Sequence, residues 1–471
     1  MVLIESFSGI RGIYGKELTD EVITRYAYAY FELLIEKNKN PKIVIGRDSR
    51  PSGEQVLNYL TEGLDCEIID VGVLPTPAIE NAVRFFNCDG GIIITASHNE
   101  PEYNGFKFLD KDGAILRPKE IDFVINRFHE INKKPISSEK ADENSSNVSC
   151  RVNNVFNQKI IYKRNEAIEE YKKFLKEILK TSKIDCDIKI LVDPNGGSGI
   201  VCKEIFDEFG VNGHYINMKE GEFKRAVEPN ETSLKYLTPE INKNNCEFGI
   251  GFDCDADRVE ILLNNGSLVS GNQILALIAE EILAKTQKNN KTIVVNDATS
   301  YIVKEMVEKY NANWVEVEVG EIIVVDEMIR TESQIAGEGS NGGVIIPPSR
   351  CRDGILTILI LLKLIKEAQK SLKELIESLP KYYYFKEKIK LDEDFSLIRD
   401  KIKSIYQSEG FEIIQTGDNT GGLKMIKDNS WVWLRQSKTE DKVLRIITDS
   451  KDKDVSLKLL DEAKKFLHNI I

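Results

Sequence analysis

Three aspartates at alternate positions, in Asp253-Cys-Asp255-Ala-Asp257-Arg258, follow the strand-like run Glu247-Phe-Gly-Ile-Gly-Phe252. Carboxylates spaced this way on a tight loop can converge on one hard cation, because Mg²⁺ takes oxygen ligands in an octahedral array. A solvated acidic loop is the plainer alternative, but Asp-x-Asp-x-Asp directly after a buried strand favours the metal. An EF-hand is disfavoured, since the sixth loop position is not Gly and the twelfth is not Glu. A second candidate is Thr95-Ala-Ser97-His98-Asn99, which follows Gly90-Gly-Ile-Ile-Ile94. Ser97 then stands just past the carboxyl end of a strand, where α/β proteins put ligands. It reads either as a nucleophile, with His98 or Lys107 assisting proton transfer, or as a helix N-cap. Without a Gly-x-Ser-x-Gly elbow, acyl-transfer hydrolysis is disfavoured.

Two further loops have the chemistry to bind a phosphate and a sugar. Arg435-Gln-Ser437-Lys438-Thr439-Glu440 lies between the β runs Trp431–Leu434 and Val443–Ile447. An arginine with clustered hydroxyls and turn amides offers the bidentate charge and fixed donors that a phosphate monoester requires. A polar hairpin turn is the alternative. Gly337-Glu-Gly-Ser-Asn-Gly-Gly343 combines a backbone that a sugar can approach closely with one carboxylate, Glu338, to accept from its hydroxyls. An ordinary glycine loop fits that stretch equally well.

These loops need elements to hold them. Short β-branched runs recur at Lys42–Gly46, Gly91–Ile94, Ile188–Asp193 and Thr292–Val295, each followed by a polar loop and most by a helix-period segment. Such a pattern predicts parallel sheets with covered faces, in several similar α/β units. Beyond Leu379-Pro380 the pattern changes to a strand over 382–391, a helix over 395–407, hairpins across 411–448 and a closing helix over 455–470. That reads as a small α+β unit. At ~150 residues per domain, 471 residues give three domains. Composition shifts raise this to four, over 1–157, 158–265, 266–379 and 380–471. Residues 132–166, rich in Asn, Ser, Lys and Glu, read as a linker or surface insertion.

Composition narrows the partners. Lys and Arg number 64 against 76 Asp and Glu, a net charge of −12, which argues against sequence-independent nucleic-acid binding. A local cluster of Arg and Lys can still hold a small anion. The 41% hydrophobic content is ample for buried cores. Eight scattered cysteines without a Cys-x-x-Cys pair read as buried thiols. No signal-peptide pattern opens the chain, and the apolar run Ile355–Leu362 falls short of the ~20 residues of a membrane span. The expectation is a soluble, cytoplasmic protein with no membrane partner, monomeric or homo-oligomeric.

Taken in order, Ser8-Gly-Ile-Arg-Gly12, Gly46-Arg-Asp-Ser-Arg-Pro-Ser-Gly53, Pro75-Thr-Pro77, Thr95–Asn99 with Tyr103-Asn-Gly-Phe-Lys107, Asp253–Arg258, Gly337–Gly343 and Arg435–Glu440 span essentially the whole chain. This series resembles the α-D-phosphohexomutase superfamily of phosphoglucomutases and phosphomannomutases. The resemblance implies four domains around a central cleft, three related mixed α/β units and a C-terminal α+β domain. It implies that Ser97 is the phosphorylated serine and, with Asp253, Asp255 and Asp257, a ligand of Mg²⁺. Arg11 and Lys107, with His98 beside the serine, fall where the family carries proton transfer and phosphoryl stabilisation. Arg258 joins the substrate-binding set, Glu338, Ser340 and Asn341 fall in the sugar-reading loop, and Arg435, Ser437, Lys438 and Thr439 fall in the loop for the non-reacting phosphate. The implied reaction interconverts hexose 1- and 6-phosphates through phospho-Ser97 and a hexose bisphosphate, which also serves as primer.

The sugar loop departs from Gly-Glu-x-Ser-Gly-His and is more similar to the Gly-Glu-Gly-Asn-Gly-Gly of archaeal-type phosphoglucosamine mutases. Val319-Gly-Glu321 lacks the Lys or Arg that many glucose and mannose enzymes carry nearby. Both departures point to a glucosamine phosphate, with glucose or mannose phosphate as the alternative. A Mg²⁺-dependent sugar-phosphate phosphatase and a non-catalytic sugar-phosphate sensor are the readings from other classes.

Overall fold

A computed structural model describes residues 3–132, 159–287, 289–339, 342–391, 395–437 and 442–470. The chain divides into two compact units, residues 1–268 with 348–356 and residues 269–347 with 357–471.

The first unit contains two mixed sheets. The larger has seven strands in the order Ile4–Ser6, Gly9–Ile13, Tyr103–Asp110, Gly90–Ile94, Lys42–Arg47, Glu67–Val73, Ile160–Tyr162. Its centre is built from Ile43-Val-Ile45 and Ile92-Ile-Ile94, which are buried throughout, as continuous apolar strands covered on both faces must be. Helix Asp20–Lys37 lays Tyr26 on Phe128 and Tyr30 on Phe108, with ring centroids 3.9 and 4.6 Å apart. The second sheet has five strands in the order Leu268–Val269, Val259–Leu263, Phe248–Phe252, Cys186–Asp193, Val211–Tyr215.

Two expectations need correction. The sheets are not purely parallel: Tyr103–Asp110 returns antiparallel beside Gly90–Ile94, and Val259–Leu263 does the same beside Phe248–Phe252. The reason is loop length. Residues 95–102 and 253–258 are too few for the crossover of about a dozen residues that a parallel return requires. Both loops expected to carry chemistry are therefore short antiparallel returns. The stretch 132–166 is also not all linker, because Ile160–Tyr162 pairs in parallel with Glu67–Val73 and a helix begins at Arg164. Residues 133–158 of that stretch lie outside the described residues.

The second unit also has two sheets. One has four strands in the order Asn313–Val317, Thr292–Asn296, Ile335–Gly337, Val344–Ile345. The other is fully antiparallel, Tyr383–Lys390, Val443–Ser450, Ser430–Gln436, Leu423–Lys427, Glu412–Gln415, and is packed by helices Phe395–Ser408 and Lys453–Ile470. Its core includes Phe395, Ile402, Val432, Leu434, Leu444 and Leu460. These bounds lie within two residues of those read from the sequence. No described helix is long and apolar enough to cross a membrane. The described cysteines are all free, and all but Cys66 are buried; Cys150 is outside the described residues.

Asp449 is buried in this unit, where its carboxylate accepts from the Ser300 hydroxyl and the Tyr301 amide, both at 2.8 Å. Burial outweighs these donors and pushes its pKa up to about 6. A raised folded-state pKa contributes stability that is complete below the unfolded value and is lost as pH rises through about 6. Asp449→Asn removes that dependence. Between pH 4 and 7 the melting-temperature difference between variant and wild type should move in the variant's favour, by the equivalent of up to ~3 kcal/mol. A difference that does not change with pH would contradict this.

Candidate active site

The serine loop is held in a conformation that its sequence alone would not favour. Ser97 sits at φ 51°, in the left-handed region, and its amide donates to Thr95 Oγ1 at 2.8 Å. A turn and then strand Tyr103–Asp110 follow it, so Ser97 caps no helix. Arg50 fixes the loop from beneath. Its guanidinium donates to the carbonyls of Ser97 (2.8 Å), Asn99 (2.6 Å), Glu100 (2.6 Å) and Tyr103 (3.0 Å), and its Nε to Asp48 Oδ2 at 3.0 Å. Four carbonyls converging on one planar cation define the loop's path, and the Ser97 hydroxyl donates to Asp253 Oδ2 at 3.4 Å.

The three aspartates occupy the short return between Phe248–Phe252 and Val259–Leu263, with Ala256 at φ 52° making the turn. All three are buried, and one oxygen from each lies within 4.8 Å of the others. The protein holds one side of two of them. Asp255 Oδ2 accepts from Thr76 Oγ1 at 2.8 Å and Lys107 Nζ at 2.9 Å. Asp257 Oδ2 accepts from Arg352 Nη2 at 3.2 Å and Lys107 Nζ at 3.5 Å. The other oxygens, Asp255 Oδ1 and Asp257 Oδ1, are buried without a hydrogen-bond partner. Donors that orient one oxygen of a carboxylate and leave the other without a hydrogen bond are the arrangement expected of ligands for a hard cation. The donor set fits a divalent ion held by oxygen.

The electrostatics of the triad agree. Burial, then repulsion from Asp257 and Asp255, drives the Asp253 carboxyl well above the usual range. Burial acts on Asp257 in the same sense, but Arg352, Lys107 and Arg258 overcome it and hold that carboxyl below its ordinary value. Three carboxylates this close cannot all carry charge cheaply unless a cation neutralises them.

The remaining expected residues of this unit surround the triad. Arg11, buried, reaches Asn99 Oδ1 at 3.2 Å, and burial lowers its pKa to about 10, so it remains a cation. Arg258 lies 4.0 Å from Asp253 and 3.8 Å from Asp257. His98 is pushed down to about 2 by Arg258, burial and Arg11, which leaves a neutral imidazole whose Nδ1 has no hydrogen-bond partner. The structure thus brings Ser97, His98, Arg11, Lys107, Arg258 and the three aspartates into one cluster.

In the second unit, Glu338 is buried at the end of strand Ile335–Gly337 and accepts from Asn296 Nδ2 at 3.1 Å. Arg435, near the end of strand Ser430–Gln436, is buried and donates to Glu318 at 2.9 Å. The amide of Ser437 donates to the carbonyl of Val443 at 2.7 Å. Ser340, Asn341, Lys438 and Thr439 lie outside the described residues.

Four residues escape a reading of the sequence. Arg50 and Thr76 stand inside the motifs Gly46–Gly53 and Pro75–Pro77, but nothing in those motifs assigns them a role. Arg352 comes from a segment 95 residues beyond its partner Asp257 and follows no pattern. Its neighbour Gly354 explains the close approach: a Cβ there would stand 3.0 Å from the carbonyl of Ala256 and 3.1 Å from that of Arg258. Glu318 is the fourth, found only through its contact with Arg435.

Comparison with known proteins agrees with this geometry. Models for phosphoglucomutase/phosphomannomutase alpha/beta/alpha domain I and domain III match residues 5–135 and 270–383. A phosphoglucomutase/phosphomannomutase of Thermococcus kodakarensis is 32% identical, over 97% of this chain and 98% of its own. A phosphoglucosamine/phosphogalactosamine mutase of Sulfurisphaera tokodaii is 31% identical over 98% of each. The crystal structure of a phosphoglucomutase/phosphomannomutase family protein from Burkholderia thailandensis, 21% identical, superposes with a TM-score of 0.81 over 99% of this chain and 97% of that one. The chain is an enzyme of the α-D-phosphohexomutase superfamily, within the phosphoglucomutase/phosphomannomutase family.

Proposed function

We propose that the chain interconverts hexose 1- and 6-phosphates through a phosphorylated Ser97, with Mg²⁺ held by Asp253, Asp255, Asp257 and Ser97, and with glucosamine phosphate as its preferred substrate. The observation that carries this reading is the buried Ser97 hydroxyl, 3.4 Å from Asp253 Oδ2, beside a triad that offers one oxygen from each aspartate within 4.8 Å of the others and leaves Asp255 Oδ1 and Asp257 Oδ1 without a hydrogen-bond partner. A bound Mg²⁺ supplies positive charge to the phosphoryl group during transfer.

The chain's own residues do the rest. Lys107, bonded to Asp255 and Asp257, Arg11, bonded to Asn99, and Arg258, beside Asp253, are the cations proposed to meet charge spreading over the phosphoryl oxygens. A free sugar hydroxyl attacks phosphorus, the bond between phosphorus and Ser97 Oγ breaks, and the hydroxyl proton ends on the departing Oγ. The product is a hexose bisphosphate and a free serine. The second half repeats the transfer in reverse with the other phosphate, restoring phospho-Ser97. Arg435 and Ser437, with Lys438 and Thr439, hold the phosphate that is not reacting, and Glu338, Ser340 and Asn341 accept from and donate to sugar hydroxyls. The stretches 1–157, 158–265, 266–379 and 380–471 are read as the four domains that contribute these parts. The amino sugar is supported by the departures of Gly337–Gly343 and Val319–Glu321; relatives named for amino-sugar and for glucose or mannose phosphates stand at similar identity, 31% and 32%.

The test follows glucosamine 6-phosphate, glucose 6-phosphate and mannose 6-phosphate by ³¹P NMR, each with the purified chain, Mg²⁺ and a catalytic amount of hexose bisphosphate. Conversion to the 1-phosphate is expected, fastest for glucosamine, ceasing with EDTA and returning with excess Mg²⁺. Release of inorganic phosphate without isomer would establish a phosphatase instead.

A further inference from the structure

Asp255 and Asp257 are oriented by donors to their own carboxylates, Thr76, Lys107 and Arg352. Asp253, which accepts from the Ser97 hydroxyl, is fixed through the main chain on either side of it. The carbonyl of Phe252 accepts from Arg225 Nη2 at 2.7 Å. The carbonyl of Cys254 accepts from both the amide and the hydroxyl of Ser198, at 2.8 and 3.0 Å. Registered pairing with strand Cys186–Asp193 ends at Gly251 opposite Asp193, and Phe252 is the next residue, so Arg225 receives the backbone just beyond that ladder.

Arg225 is itself placed by several bonds. Its Nε donates to Asp193 Oδ2 at 2.7 Å, and the two side chains are only 3% and 0% exposed. Asp193 also accepts from the Asn195 amide, Asn217 Nδ2 and the Tyr236 hydroxyl. Asn195 Oδ1 accepts from the amides of Lys224 and Arg225 at 2.7 and 3.1 Å, which holds the backbone of the arginine as well. Two residues on, the amide of Val227 donates to Glu100 Oε1 at 3.3 Å and ties the same segment to the serine loop. On the other side, Gly197 lets Ser198 come close: a Cβ there would stand 2.9 Å from the Cys254 carbonyl oxygen. A buried ion pair adds little net stability, because desolvation offsets its attraction. Stability alone therefore does not account for this pair, which fixes a guanidinium whose other nitrogen reaches Phe252.

We infer that Arg225 and Ser198 are positioning residues for Asp253, setting its reach toward Ser97 and the metal from the main chain. The inference rests on the metal reading above and deepens it. A carboxylate on a short loop pivots with its own backbone, so releasing a carbonyl on either side lets this ligand swing out of register with the other two. Groups that orient metal ligands typically govern affinity by about 10–100-fold.

The test uses the full chain stripped of metal, with Mn²⁺ as the probe and the free-ion signal in electron paramagnetic resonance as the readout. Wild type, Arg225→Lys, Ser198→Ala and Leu34→Ala are compared. Lysine keeps a cation beside Asp193 but cannot also span to Phe252, and should raise the Mn²⁺ dissociation constant by about tenfold or more. Alanine at 198 keeps the amide bond to Cys254 and loses the hydroxyl, and should raise it by a smaller factor. Leu34→Ala, a truncation in the core beside the larger sheet, should lower the melting temperature without weakening metal binding. In the isomerase assay the half-saturating Mg²⁺ should rise in the same order, with KM for the hexose phosphate unchanged once Mg²⁺ saturates. Binding equal to wild type in either folded variant, or an equal loss in Leu34→Ala, would overturn the inference while leaving the metal reading intact; if Arg225→Lys does not fold, Ser198→Ala decides. A wild type that binds no Mn²⁺ would overturn both.

Discussion

Replacing Ser97 with alanine should leave a folded protein that carries no covalent phosphate and isomerises hexose phosphates on the order of 10⁶-fold more slowly, the scale seen when a covalent nucleophile is removed. The substitution deletes one buried oxygen and little else. The amide of residue 97 can still donate to Thr95 Oγ1, and Arg50 still receives the carbonyls of the loop. Alanine at φ 51° keeps the backbone strain that serine already bears, so stability should change little. Intact-mass spectrometry after incubation with the bisphosphate primer checks the phosphate, and the isomerisation assay checks the rate. A phosphate found on the Ser97→Ala variant, or undiminished turnover, would require another acceptor and end the phosphoserine account.

The second large effect is expected at a residue that touches no reacting atom. Arg50→Met should destabilise the first unit by ~3–5 kcal/mol, the usual consequence of leaving one member of a buried ion pair alone. Asp48 and Arg50 have no exposed side-chain surface, so removal of the guanidinium strands a carboxylate in the interior. It also frees four carbonyls, of which that of Ser97 is buried and loses its donor in the interior. Arg50→Lys should rescue only part of this, because an ammonium has three donors in a compact group and cannot span a planar fork of contacts. Denaturant unfolding reads the stability. Turnover of the surviving folded fraction should fall as well, since the Ser97 side chain keeps its place only while its own carbonyl is held. A stability within about 0.5 kcal/mol of wild type, the range of ordinary surface substitutions, would show that the clamp is dispensable.

How far the sequence speaks depends on whether the partners are near each other along the chain. Asp253, Asp255 and Asp257 announce themselves because a strand and a six-residue turn suffice to bring them together. The serine loop is legible for the same reason, and so are the elements of residues 380–470, whose alternation and helical periods are local. Strand direction is not legible in the strands themselves, because an apolar run carries no arrow. The length of the loop that follows does carry one, and residues 95–102 hold that information. The donors that organise the aspartates are silent, since nothing about Arg352 at its place in the chain distinguishes it from a surface cation. The pairing of Glu318 with Arg435 spans 117 residues and is equally hidden. Glu321 draws attention through its neighbouring motif, while the carboxylate three positions earlier makes the contact.

The segment 348–356 has a consequence for biosynthesis. It belongs to the first unit although most of the second unit's strands flank it in the chain. A ribosome that has finished residue 268 has therefore not supplied everything the first unit needs: Arg352, and the close backbone approach at Gly354, arrive some 80 residues later, about 4–16 s at ordinary elongation rates. During that interval the three aspartates face one another without one of their cations. Completion of the nascent first unit is thus tied to translation of the second, and the two cannot be made, or inherited by recombination, as simple consecutive pieces.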